Sequence, residues 1–182
     1  SSVTVQTDAG GFYSFDILPG TYDVTAGPLL PGYPTPNSNN GNVVTANSTT
    51  TANVALVPVP NLVYDATMVV DGGPGGNGNG YPEPGESGVQ IFVDLNNNGA
   101  NTSTGISAVL SSPTPGVSVT QNTSAYPDIA AGASLPNSTA YLISLDPQMP
   151  CGTILDFQLD VTTNEGNYTF YFSIQASIPQ AP

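Results

Sequence analysis

The oxygen-rich segment Asp71-Gly72-Gly73-Pro74-Gly75-Gly76-Asn77-Gly78-Asn79-Gly80-Tyr81-Pro82-Glu83-Pro84-Gly85-Glu86 is where this sequence comes nearest to chemistry. Asp71, Asn77, Asn79, Glu83 and Glu86 place carboxylate and amide oxygens at close spacing, the hard donors that calcium takes. Calcium is therefore the one cofactor these oxygens could hold, and none is required. The alternative is a surface loop whose acids are solvated, since the segment lacks the Asp-x-Asp repetition of a dedicated site. A second stretch, Asp94-Leu95-Asn96-Asn97-Asn98-Gly99, matches the first half of an EF-hand loop. Its twelfth position is Gly105 where a bidentate Glu is needed, so it reads instead as a strand ending in an Asn-Gly turn.

What the chain lacks narrows its chemistry further. Lys, Arg and His are all absent, against 13 Asp plus Glu, giving a formal charge of -13. Nucleic-acid affinity comes mainly from Lys and Arg displacing phosphate counterions, so nucleic acid is excluded as a partner. Anionic membranes repel such a surface too, and no apolar run of about 18 residues is present to span a bilayer. The usual catalytic base, Schiff-base amine and anion clamp are missing together. A carboxylate pair can serve a glycosidase, but sugar clefts are built on aromatic platforms and the chain has no Trp. No catalytic residue is expected.

Cys151 has no internal partner and reads as a small buried residue, the alternative being a link to another chain. Asn47, Asn101, Asn122, Asn137 and Asn167 each begin an Asn-x-Ser/Thr acceptor. In a chain this rich in Asn, Ser and Thr the count alone says little, but their placement near predicted turns leaves covalent glycan open, with O-linked sugar at Thr49-Thr50-Thr51 beside it. Without Lys the chain cannot form the Lys-to-Asn isopeptide link of pilin-like adhesins. Leu135-Pro136-Asn137-Ser138-Thr139 departs from the sortase sorting signal. Trypsin-like proteases find no basic residue to cut after.

The elements that carry these residues read as strands. Gly, Pro, Asn, Ser and Thr abound, apolar residues alternate, and no 3.6-residue period appears, so an all-β fold is expected. Strands are predicted at 3–5, 12–15, 21–26, 43–45 and 51–56, with turns at Asp8-Ala9-Gly10-Gly11 and Pro19-Gly20 and a loop from Gly27 to Gly41. Val57-Pro58-Val59-Pro60 is a stiff connector. Beyond it, seven strands are predicted at 62–70, 88–95, 105–111, 116–121, 139–146, 153–162 and 167–177. The division is a β-sandwich at 1–58 and a second at 59–182.

Two resemblances attach to these residues. Thr7-Asp8-Ala9-Gly10-Gly11-Phe12-Tyr13-Ser14-Phe15 with Leu18-Pro19-Gly20-Thr21-Tyr22-Asp23-Val24 resembles the carboxypeptidase-regulatory-like and collagen-adhesin B-type modules, which are prealbumin-like sandwiches. Such modules begin with strands ahead of the one equivalent to Val3-Thr4-Val5. The resemblance thus implies an incomplete first module, completed by upstream sequence or by a strand donated from a neighbouring subunit. The start at Ser1, with neither Met nor an apolar leader, is read as a processed product or an excerpt. Asn79 to Glu86, Leu110 to Val119, Tyr126 to Ser134 and Pro150 to Thr153 together resemble the immunoglobulin-like accessory repeats of bacterial secreted peptidases and surface proteins. The functional expectation is a secreted, non-catalytic subunit of an extracellular filament or cell-surface appendage, its partners being copies of itself. The alternatives are spacer or binding modules of a larger secreted hydrolase, and an adhesive module.

Overall fold

A computed structural model describes residues 2–27, 31–33 and 37–177. Among them the protein is all-β, with eleven strands in three sheets. By internal contacts the chain divides into two units, Ser1–Leu30 with Thr35–Val57, and Pro31–Pro34 with Pro58–Pro182. No helix among the described residues is long and apolar enough to cross a membrane.

The first unit holds one ladder, in which β1 (Gly20–Thr25) pairs antiparallel with β2 (Ser38–Val44). Of the loop expected from Gly27 to Gly41, part lies outside the described residues and its end, from Ser38, is already strand. The turn at Asp8 forms as its residues dictate: Gly11 N donates to Asp8 O (3.0 Å), while Asp8 Oδ1 accepts from Gly10 N (2.8 Å) and Phe12 N (2.9 Å). The strands expected at 3–5, 12–15 and 51–56 do not form ladders. Alternation prepares a segment for a sheet, but a strand exists only where a neighbouring edge takes its backbone groups. Tyr13, Tyr22, Val24, Val44, Ala52 and Val54 are half-buried, and no described residue of this unit is fully buried.

The second unit is a β-sandwich. One sheet has the order β3 (Leu62–Val70), β4 (Ser87–Asn97), β9 (Tyr141–Leu145), β6 (Val117–Gln121), with β8 (Ser134–Pro136) also on β4. The other runs β11 (Asn167–Gln175), β10 (Ile154–Thr162), β5 (Ser107–Ser111), β7 (Thr123–Ala125). Alternate residues of each strand meet between the sheets: Val89, Ile91, Val93 and Leu95 from β4, facing Leu155, Phe157, Leu159 and Val161 from β10. Phe172 of β11 stacks at 5.3 Å on Phe157 and at 5.4 Å on Tyr64 of β3. Seven of these strands overlap the predicted ones, whereas β7 and β8 are additional.

Candidate functional site

The acidic glycine loop connects β3 to β4, and its stems carry two buried carboxylates, Asp71 at 2% exposure and Glu86 at 7%. A buried carboxylate is costly unless hydrogen bonds replace its water. The loop supplies them from its own backbone. Asp71 Oδ2 accepts from Asn79 N (3.1 Å) and Oδ1 from Gly80 N (2.9 Å). Glu86 Oε1 accepts from Asn77 N (3.1 Å) and Oε2 from Glu83 N (2.9 Å). Glu83 in turn takes the side-chain amides of Asn77 and Asn79, the latter at 3.0 Å. The Oδ1 atoms of Asn77 and Asn79 cap the N–H groups of Asn79 and Tyr81.

All five calcium candidates thus belong to one network, in which the carboxylates collect N–H donors from the surrounding backbone. Glycine makes that convergence sterically possible: a Cβ on Gly76 would stand 1.8 Å from Asp71 O. Burial pushes the Glu86 carboxyl above the ordinary carboxylate range and the charges of Asp71 and Glu83 add to the rise, against the N–H groups of Glu83 and Asn77. Among the described residues no group of three or more His, Cys, Asp or Glu side chains is disposed to hold a metal ion. The arrangement ties the two ends of the loop to each other through charge-assisted hydrogen bonds.

The partial EF-hand motif is organised about Asn97, the last residue of β4, whose side chain is fully buried. Its Oδ1 accepts from Asn61 N (3.0 Å) and Gly99 N (3.0 Å). Its Nδ2 donates to Asn101 O (2.7 Å) and Ile129 O (2.9 Å). One amide therefore joins the entry to β3, the turn after β4 and the segment before β8. Asn137 does similar work, Oδ1 accepting from Val93 N (2.7 Å) and Nδ2 donating to Thr139 O (2.6 Å). Neither role is visible from the sequence, because an Asn of either kind looks like a turn residue.

The glycosylation candidates separate accordingly. Asn47, Asn101, Asn122 and Asn167 are exposed, Asn47 with a φ of 57°. Asn137 is 2% exposed, and the nitrogen that a sugar would have to bond is the one given to Thr139 O. The folded chain leaves no room for glycan there. Cys151 departs from the burial its residue type suggests: it is exposed on a turn, while Met149, two residues before it, is buried.

The hydroxyls of Tyr126 and Tyr141 lie in the core and interact with each other, and neither meets another hydrogen-bond partner among the described residues. Burial raises the pKa of both phenols, that of Tyr141 to about 12. In the turn between β10 and β11, Glu165 accepts from Thr104 N (3.0 Å) and Thr104 Oγ1 (2.6 Å). Burial is the largest single influence and opposes its ionisation, but these bonds, with that of the Thr163 hydroxyl, together outweigh it and hold the carboxyl below the ordinary range. On the outer face of the β5-β10-β11 sheet, Ser111, Pro113, Asp156, Gln158, Tyr171 and Ser173 line a shallow concavity. There the Ser173 hydroxyl donates to Asp156 Oδ1 (2.7 Å). No family model matches the chain, and no curated protein matches it.

Proposed function

We propose that this chain is a non-catalytic structural subunit of an extracellular filament or cell-surface appendage, assembling head to tail by strand complementation of its first unit. The observation that carries this reading is the state of that unit. It has a two-stranded sheet and no buried described residue, while Val3, Phe12, Leu18, Val43, Leu56 and Val57 are 49% to 79% exposed. A two-stranded sheet is marginal in water, and a third strand added along its open edge, with side chains extending the half-buried face of Tyr22, Val24 and Val44, supplies the missing neighbour. Repetition of one such heterologous contact makes an open polymer.

The resemblances to surface-protein modules support the same reading, as does a chain without basic residues, which trypsin-like proteases outside the cell do not cut. The test is high-speed sedimentation of the protein and of Val24→Asp. The wild type is expected in the pellet, and the variant in the supernatant with an unchanged unfolding transition of the second unit. Equal distribution of the two proteins contradicts the reading.

A further inference from the structure

The sandwich of the second unit ends in four edge strands: β3 and β6 in one sheet, β11 and β7 in the other. Proteins protect such edges by keeping them short, charged, bulged or interrupted by proline. Three of the four follow this rule. β6 and β7 have five and three residues, and β3 shifts register between Tyr64 and Ala66, around Asp65. β11 does not follow it: nine residues, Asn-Tyr-Thr-Phe-Tyr-Phe-Ser-Ile-Gln, with no charge, Pro or Gly, pair with β10 without a shift.

The register shows which backbone groups are open. Thr163 N donates to Gly166 O, and Ala176 N to Thr153 O, at the two ends of the β10–β11 ladder. Hydrogen-bonded pairs alternate along an antiparallel ladder, so Tyr168, Phe170, Phe172 and Ile174 spend their N–H and C=O on β10. Those of Asn167, Thr169, Tyr171, Ser173 and Gln175 point off the edge. None of these five residues has a backbone hydrogen-bond partner among the described residues.

The strand is also close to a palindrome. Counted outward from Tyr171, the pairs are Phe170 with Phe172, Thr169 with Ser173, Tyr168 with Ile174, and Asn167 with Gln175. We infer that β11 pairs antiparallel with β11 of a second copy about a two-fold axis at Tyr171. In that register every outward-pointing residue meets an outward-pointing residue, giving about ten backbone hydrogen bonds across the axis. Phe meets Phe, hydroxyl meets hydroxyl, and amide meets amide. The two Tyr171 rings, each 72% exposed, meet at the centre, and the half-buried Tyr168, Phe170 and Ile174 gain cover.

Charge makes the location specific. Two chains of -13 repel each other over most of their surfaces, and β11 is an uncharged strip along which they can approach. The carboxylates nearest it on the outer face, Asp156 and Asp160, accept hydrogen bonds from Ser173 (2.7 Å) and Thr169 (2.8 Å). The contact is isologous and closes at two copies, so it is independent of the head-to-tail contact and links subunits sideways.

The test uses Cys151→Ser, which removes the single native thiol, with either Tyr171→Cys or Gln175→Cys added. Mild oxidation of the Tyr171→Cys protein is expected to give covalent dimers on a non-reducing gel. The Gln175→Cys protein is expected to stay uncrosslinked, since its two thiols lie eight residues apart along the paired strands, roughly 27 Å. Equal crosslinking at both positions, or none at either, overturns the inference. Tyr171→Lys and Tyr171→Asp each put like charges on the axis, so both are expected to weaken dimerisation about tenfold or more. Dimerisation strengthened by Tyr171→Lys would show instead that net charge alone governs association. Because the crosslink reads this contact directly, it succeeds or fails whether or not filaments form.

Discussion

Replacing Asn97 by Asp changes one non-hydrogen atom and tests the packing account of the second unit. The new carboxyl still accepts from Asn61 N and Gly99 N. Where Nδ2 donated at 2.7 and 2.9 Å, however, a carboxylate oxygen now faces the carbonyls of Asn101 and Ile129. Two hydrogen bonds disappear, at about 1 kcal/mol each, and the buried Ile129 carbonyl loses its donor at a further cost of about 1 to 3 kcal/mol, while that of the exposed Asn101 can turn to water. The expected loss is therefore about 3 to 5 kcal/mol at pH 7, a large share of the stability of a single domain.

The loss also depends on pH in a definite direction. Burial and two facing carbonyls raise the folded-state pKa of the introduced carboxyl above its unfolded value of about 3.9. Above the raised value the full penalty applies. As pH falls through it, protonation restores one donor and the penalty shrinks toward about half. Urea denaturation of wild type and Asn97→Asp, followed by far-UV circular dichroism between pH 4 and 8, measures the gap. A gap within about 0.5 kcal/mol at pH 7, or one that does not change with pH, would refute the reasoning.

Other expectations follow from the acidic loop and the charge. Glu86→Gln leaves one of the Glu83 and Asn77 N–H groups facing an amide NH2, so it should cost about 1 to 3 kcal/mol by the same denaturation assay. Because the folded Glu86 pKa is raised, its ionised form is penalised at neutral pH, and the wild type should gain on the variant as pH falls from that raised value toward the ordinary 4.5. Calcium at millimolar concentration should leave the thermal midpoint unchanged, since the loop carboxylates are held by N–H donors; a rise of several degrees would assign the loop a cation. Raising NaCl from about 10 to 500 mM should raise the midpoint, because salt screens the repulsion among carboxylates that have no cationic side chain to pair with. A midpoint that falls with salt would show that self-repulsion is not a destabilising term.

The alternation of Val89, Ile91, Val93 and Leu95, or of Leu155, Phe157, Leu159 and Val161, is readable because an apolar residue at every second position lines one face of a strand and scatters around a helix. β7 and β8 were not readable: Thr123–Ala125 and Ser134–Pro136 are too short for a period, and they are strands because β5 and β4 hold them in register. In the first unit, turn chemistry at Asp8 is local and was legible, but the ladders expected at 3–5 and 51–56 required partners that local sequence does not specify. The acids of the glycine loop were legible as a cluster; that their oxygens turn toward backbone N–H groups was not. Asn97, Asn137 and Cys151 show the same limit, since burial is decided by residues distant in sequence. The composition of β11 could be read off, while its place at an edge depends on strand order.

The proposal that this is a polymer-forming structural subunit is tested most directly by negative-stain electron microscopy of the protein isolated from its native source. The account predicts regular filaments with an axial repeat of one or a few subunits, with lateral pairing lost in the Tyr171→Lys variant. Dispersed monomers, or particles attached to a larger globular body, would contradict it and make these units accessories of another protein.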